Sequence, residues 1–289
     1  MNKGNILVIG KYNKRKEVEH LLALRGISYF SIDHIAENEE NIRIKINQGC
    51  RQILICGGDG TINESVNYLM CFPKEIRRKI GIGIIPCGRA NDFARELNIP
   101  EEAGLALERI FNKRVKFVDL IKVNHKYMVS GGGFGLPAEV ILSMEGSPKK
   151  DKLFSSLLGG FVYSLFVTNL ILFGYEGIKI KRKNYSILGI LNQGNIGKKF
   201  NLSPNSKNDD GYFEVCFVEG PSGVFKDIKN LKKIVAGNYF KGKKNRIDKI
   251  KKIKLSFDKE NYFMGDGEIL CKDKDFSISI APKELGFFH

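Results

Sequence analysis

Apolar and polar positions follow two different rhythms along the chain. In the first third, short apolar runs alternate with stretches whose apolar residues recur every three or four positions. Residues 5–10 read as a buried strand. Val18, Leu21, Leu22 and Leu24 then mark a helix over 14–25 that Gly26 closes. A second strand is predicted over 27–32, a helix over 36–48 ending at Gly49, and a third strand over 52–56. Gly57 to Gly60 is a turn leading into a helix over 61–70, and a fourth strand over 80–85 precedes a helix over 91–97. Strands alternating with helices specify a parallel sheet covered on both faces.

After about residue 115 the rhythm changes to short β-patterned runs at 115–123, 126–130, 177–181, 185–191, 212–218, 250–257 and 276–280, separated by Gly, Asn and Asp. That pattern predicts a mostly antiparallel second domain. The expected architecture is α/β, with domains at 1–118 and 119–289 and the last residues free to return to the first domain. Residues 153–173 form a 21-residue uncharged stretch, long enough to span a bilayer. It carries Ser155, Ser156, Gly159, Gly160, Ser164, Thr168 and Asn169, and its flanks are basic on both sides, whereas a span is usually basic on one. It is read as a buried or interfacial helix.

Composition adds a soluble, globular character: 43% hydrophobic and 27% charged residues exclude disordered and low-complexity classes. The net charge of +15 is concentrated in 226–254, where twelve Lys and Arg face two acids, Asp227 and Asp248. Such a segment either solvates a face or meets an anionic partner. The six cysteines contain no Cys-x-x-Cys pair and lie away from His, so a structural zinc motif is absent. The first residues show no secretory pattern, which predicts a cytoplasmic protein with reduced thiols.

The strongest chemical signal is Cys56-Gly57-Gly58-Asp59-Gly60-Thr61-Ile62-Asn63-Glu64, which follows a strand and opens a helix. Ligands of parallel sheets bind at that edge. Glycines there let backbone N–H groups approach phosphate, and the helix N-terminus favours negative charge. A carboxylate among them would repel phosphate without a Mg²⁺ between. The same run also suits a plain strand–turn–helix. No Gly-x-x-x-x-Gly-Lys-Ser/Thr and no Gly-x-Ser-x-Gly occurs, so Walker-type NTPases and nucleophile-elbow hydrolases are excluded. Gly133-x-Gly135-x-x-Ala138 lies in the β-rich half and lacks the helix and acid of a dinucleotide site. The four His residues, at 20, 34, 125 and 289, form no catalytic constellation.

Gly57-Gly58-Asp59-Gly60-Thr61 followed by Pro86-Cys87-Gly88-Arg89-Ala90-Asn91-Asp92-Phe93-Ala94-Arg95 resembles the diacylglycerol kinase catalytic domain, in its bacterial lipid kinase branch. Val118-Asp119-Leu120, Asp209-Asp210-Gly211-Tyr212-Phe213-Glu214-Val215 and Gly265-Asp266-Gly267-Glu268 extend the likeness in order along nearly the whole chain. The resemblance implies a nucleotide-binding α/β domain, akin to NAD kinase and phosphofructokinase, followed by a β-sandwich domain, with the active site in the cleft between them. It implies transfer of the ATP γ-phosphoryl to a lipid hydroxyl. Under it, Asp59, Asp92 and Asp119 serve a Mg²⁺–water network. Glu268 is the general base, and Asp266 orients the site or shares the metal. Gly57, Gly58, Gly60, Thr61, Ile62, Asn63, Gly88, Arg89 and Asn91 line the nucleotide, with Ser31 matching a nucleotide-side hydroxyl by spacing. Asp210, with the backbone carbonyls of Lys207 and Tyr212, resembles a second, structural Mg²⁺ site; the residues alone equally suit an Asx turn.

Two departures fall on the nucleotide side. The family's Asn-Pro-x-Ser-Gly is replaced by Gly10-Lys11-Tyr12-Asn13-Lys14, and Arg89 stands where the family has Thr. The expected function is a lipid kinase, with diacylglycerol as acceptor, that visits an anionic membrane peripherally from the cytosol. The alternative is a catalytically impaired relative that binds lipid or nucleotide in a regulatory role. Nucleic-acid binding lacks any module beyond charge. Neither the acceptor lipid nor the oligomeric state is written in these motifs.

Overall fold

The computed structural model describes residues 6–112, 114–135, 168–172, 183–196, 200–201, 203–219 and 247–289, with 229, 233 and 238. The chain divides into two compact units, residues 1–119 with 282–289, and residues 120–281.

In the first unit, β1 (Ile6–Gly10), α1 (Tyr12–Leu24), β2 (Tyr29–Ile32), α2 (Glu39–Asn47), β3 (Gln52–Gly57), α3 (Asp59–Leu69), α4 (Lys74–Arg77), β4 (Gly81–Pro86), α5 (Asp92–Glu96) and α6 (Ala103–Phe111) follow one another. The strands pair in parallel in the order β2-β1-β3-β4, with Val8 beside Leu54 and Leu54 beside Gly83. Leu7, Val8, Ile53, Leu54, Ile55, Ile82 and Ile84 are fully buried, as strands covered on both faces require. The short helix α4 and the helix α6 are additions to the elements read from the sequence. Glu102 caps α6, its carboxylate accepting the Gly104 and Leu105 amides at 2.7 and 2.9 Å. Ala106, Leu107 and Ile110 are the buried face of α6.

The second unit is built from strands. β5 (Val115–Val123), which begins in the first unit, forms a hairpin with β6 (Lys126–Met128). There follow β7 (Gly131–Gly135), β8 (Thr168–Leu172), β9 (Lys183–Leu191), β10 (Asn195–Ile196), β11 (Phe200–Asn201), β12 (Phe213–Glu219), β13 (Ile247–Ile250), β14 (Lys252–Gly265) and β15 (Glu268–Phe288). Pairing is antiparallel in the order β13-β12-β9-β7-β14-β15. With no Trp in the chain, phenylalanines fill the core: the rings of Phe257, Phe263 and Phe276 surround Phe134 at 4.7, 4.9 and 4.7 Å.

One expectation is corrected. Of the segment read as a helix over 153–173, residues 168–172 are a strand, with Leu170, Ile171 and Leu172 opposite Phe257, Ser256 and Leu255 of β14. An uncharged run of this kind carries no clear period that separates helix from strand, so pairing partners decide it. The rest of that stretch, and the run at 177–181, lie outside the described residues.

β15 ends in the first unit, where Gly286 and Phe287 run parallel to Gly81 and Ile82 of β4. Its return is anchored by Glu284, which is buried and pairs with Arg77 and Lys74.

Candidate active site

The two glycine loops meet at the carboxyl ends of β3 and β4. The Cys87 amide donates to the Gly57 carbonyl at 3.1 Å. Beyond that bond, Gly58 and Gly88 pack backbone to backbone: a Cβ on Gly88 would lie 2.5 Å from the Gly58 Cα and 2.8 Å from Asn91 Oδ1. Neither atom belongs to a side chain that could swing far, since Asn91 is itself held. It sits in the left-handed region at φ 51° and precedes α5. Its Oδ1 accepts the Gly88 amide at 2.8 Å, and its Nδ2 donates to the Gly88 carbonyl at 3.0 Å. Gly88→Ala is therefore expected to destabilise the first unit by about 1–3 kcal/mol, read as a lowered Tm; an unchanged Tm would show that the loops are not locked together.

Asp59 completes the lock. It is the first residue of α3, yet its carboxylate caps a different helix: Oδ2 accepts the Asp92 amide at 3.2 Å and Oδ1 the Phe93 amide at 3.1 Å. These amides lie in the first turn of α5, where helical N–H groups have no intrahelical partner. Burial pushes the Asp59 carboxyl above its ordinary range; the two amides pull it back in part, and the neighbouring Asp92 charge pushes it up further. Asp92 in turn pairs with Arg95, which also donates to the Ala90 carbonyl at 2.6 Å. The Arg95 guanidinium is thus the cation already beside Asp92. Among the described residues no three His, Cys, Asp or Glu side chains are grouped to hold a metal directly. With both Asp59 oxygens on the α5 amides and Asp92 paired to Arg95, a Mg²⁺ at this edge would be reached through its waters and not by direct ligation.

The remaining first-unit candidates are distributed. Ile62 and Asn63 are buried on α3, and Asn63 accepts the Asn67 amide. Their side chains thus belong to the interior of the unit. Thr61 lies against Gly57, Gly60 is half-buried in the first turn of α3, and Arg89 is exposed. Ser31 is half-buried on β2, paired beside Val8. Asp119 is fully buried, and its carboxylate accepts the Lys283 amide at 2.8 Å where β15 returns.

In the second unit, Gly265 pairs with Glu268 across the two-residue turn Asp266-Gly267, whose φ angles are 51° and 85°. Positive φ at both positions is the favoured hairpin turn, and Asp-Gly is its characteristic pair. Asp266 is buried, and its carboxylate accepts the Val129 and Ser130 amides, both at 2.8 Å. Its own amide donates to the Gly131 carbonyl at 3.0 Å. Glu268 emerges from this pinned turn exposed, as the first residue of β15.

The Asp210 turn is an Asx turn: Asp210 Oδ1 accepts the Tyr212 amide at 3.1 Å. Its Oδ2 pairs with Lys249. Lys207 and Tyr212 are exposed. The sequence reading names Asn91 as a nucleotide-lining residue but not as the clasp on Gly88, and it does not single out Lys249. The Asn91 side chain that clasps Gly88 was legible in retrospect as a left-handed-tolerant Asn three residues on, just before a helix. Lys249 carried no such signal within a run of lysines.

A parallel sheet with two glycine loops meeting at its carboxyl edge, followed by a unit built from strands, is an NAD kinase-like fold. The structure of an NAD kinase from Archaeoglobus fulgidus shares it at a TM-score of 0.53 and 14% identity, over 98% of this chain and 92% of that one. A diacylglycerol kinase structure from Bacillus anthracis matches at a TM-score of 0.74 and 19% identity, over 100% and 98%. Residues 10–123 match the diacylglycerol kinase catalytic domain, and residues 175–289 the YegS C-terminal NAD kinase beta sandwich-like domain. The two matches run in the order found in bacterial lipid kinases, a diacylglycerol kinase catalytic domain followed by a YegS-type C-terminal domain. Its relatives include a diacylglycerol kinase of Staphylococcus haemolyticus, 27% identical over 88% of this chain and 77% of that protein. The diacylglycerol kinase of Bacillus subtilis is 26% identical over 80% of this chain and 78% of its own length.

Proposed function

We propose that the protein transfers the γ-phosphoryl group of ATP to the hydroxyl of a membrane lipid, diacylglycerol becoming phosphatidic acid. The observation that carries this reading is the Asp59 carboxylate locked onto the first turn of α5 between two abutting glycine loops. Phosphoryl transfer needs positioning and charge neutralisation more than covalent help. Backbone amides of the glycine loops bind the phosphates, with Arg89 on the exposed side of the second loop. Asp59 and Asp92 would hold Mg²⁺ through its waters, and the ion when bound would neutralise phosphate charge. Glu268 takes the proton from the lipid hydroxyl, and Asp266 fixes the turn from which Glu268 projects. The test is incubation with γ-labelled ATP, Mg²⁺ and a panel of diacylglycerol, phosphatidylglycerol, an isoprenoid alcohol and a sphingoid base. Labelled phosphatidic acid supports the reading. Labelling of another lipid keeps the kinase and moves the acceptor. Binding without turnover on any lipid favours a regulatory relative, the reading that the exposed Arg89 would suit.

Membrane contact is part of the same proposal. No helix among the described residues is long and apolar enough to cross a membrane. Lys251, Lys252 and Lys254 are exposed on and beside β14, within the basic segment 226–254. Basic residues near an anionic leaflet contribute on the order of 1 kcal/mol each. Replacing Lys243, Lys244, Lys251 and Lys252 with Gln is expected to raise the apparent KM for lipid in anionic vesicles. Turnover of a short-chain soluble lipid should stay nearly unchanged. Equal losses on both substrates would assign the segment to the fold or the site.

A further inference from the structure

The family resemblance places a structural Mg²⁺ on Asp210, with the carbonyls of Lys207 and Tyr212. The side chains around that turn do not fit it. Asp210 has its two oxygens engaged, Oδ1 by the Tyr212 amide at 3.1 Å and Oδ2 by the Lys249 ammonium. The antiparallel register of β12 and β13 puts Lys249 directly opposite Glu214, a buried carboxylate that accepts a hydrogen bond from the Ser206 hydroxyl. Lys249 therefore stands between two carboxylates that come from one turn and the strand after it. A second ammonium is close: Lys251 and Lys249 lie over the Tyr212 ring at 4.8 and 5.5 Å. Mg²⁺ demands near-octahedral oxygen ligation and sheds its waters reluctantly. Here the carboxylate it would use already carries a cation, with another across the adjacent ring, and like charges would oppose a dication.

We propose that the Lys249 ammonium is the built-in counter-charge of the Asp210 turn, taking the place of a divalent cation, so that the β12–β13 edge holds without metal. The spacing makes the device local: Lys249 reaches the turn because it is paired to β12 one strand away. This proposal is independent of the kinase reading, since it concerns stability and not turnover.

The test is thermal melting of the full chain, without nucleotide, in excess chelator and in excess Mg²⁺. The Mg²⁺-induced rise in Tm is expected to be equal in wild type and Asp210→Asn, because the turn takes no metal in either. A larger rise in wild type overturns the proposal. Lys249→Met removes the ammonium and leaves the carboxylates uncompensated. Its Tm in chelator is expected to fall, and Mg²⁺ is expected to restore part of it; the double variant with Asp210→Asn should lose that gain. Lys249→Met that melts like wild type in chelator, or that gains nothing from Mg²⁺, overturns the proposal. Lys249→Arg keeps the positive charge and is expected to behave as wild type.

Discussion

Asp59→Asn is expected to bring lipid phosphorylation below about a tenth of wild type, since losing a catalytic metal ligand costs several kcal/mol of transition-state stabilisation. The fold should survive, because two effects of the change oppose each other. Asn keeps one acceptor for the α5 amides and loses the other, at about 1 kcal/mol. It also removes a charge that burial and Asp92 disfavour. The sign of the pH dependence follows. A carboxyl raised in the folded state contributes stability that is fully present below its unfolded value and is lost as pH rises through its folded one. Wild type should therefore gain stability over Asp59→Asn as pH falls into the carboxylate range, and the difference should narrow or reverse toward neutrality. Melting curves of both proteins across that range check this, because every other titrating group is common to them. Activity well above a tenth, or a variant that fails to fold at neutral pH, would make Asp59 a structural cap and nothing more.

What the sequence disclosed and what it hid divide along the range of the interactions. The strands β1, β3 and β4 were legible because a strand buried on both faces is apolar throughout, and β5 because Val115 to Val123 is bounded by turn residues. The strand β7 is Gly131-Gly132-Gly133-Phe134-Gly135, which offers almost no side chains from which to read a period. Thr168–Leu172 was read as helix since its strand character rests on β9 and β14, distant in sequence. The site shows the same division. The glycine-rich loops announce phosphate chemistry through local residue types. That Asp59 caps a helix 33 residues further on is a tertiary fact, as is Lys249 finding Asp210 across 39. A run of lysines looks uniform until strand register singles out the one that faces a carboxylate.

Glu268→Gln is expected to lower kcat by about 10²–10⁴-fold while leaving nucleotide affinity in place, the range typical of a lost general base. The structure makes this substitution informative. Gln has the shape of Glu, and Glu268 is exposed. The turn that carries it is held by other atoms: the Asp266 carboxylate on the Val129 and Ser130 amides, and the Gly265–Glu268 pairing of β14 with β15. The variant should therefore melt with wild type, and any loss reflects chemistry at the side chain. Its pH–rate profile should lack the rising limb that a carboxylate base gives wild type on the acid side. Asp266→Ala supplies the contrast. It frees the turn, so Tm and kcat should fall together, while the acid limb should keep its place if Glu268 is the base. A Glu268→Gln enzyme whose defect appears instead as a raised KM for ATP, with kcat intact, would make Glu268 a nucleotide contact and leave the lipid hydroxyl to be deprotonated by another group.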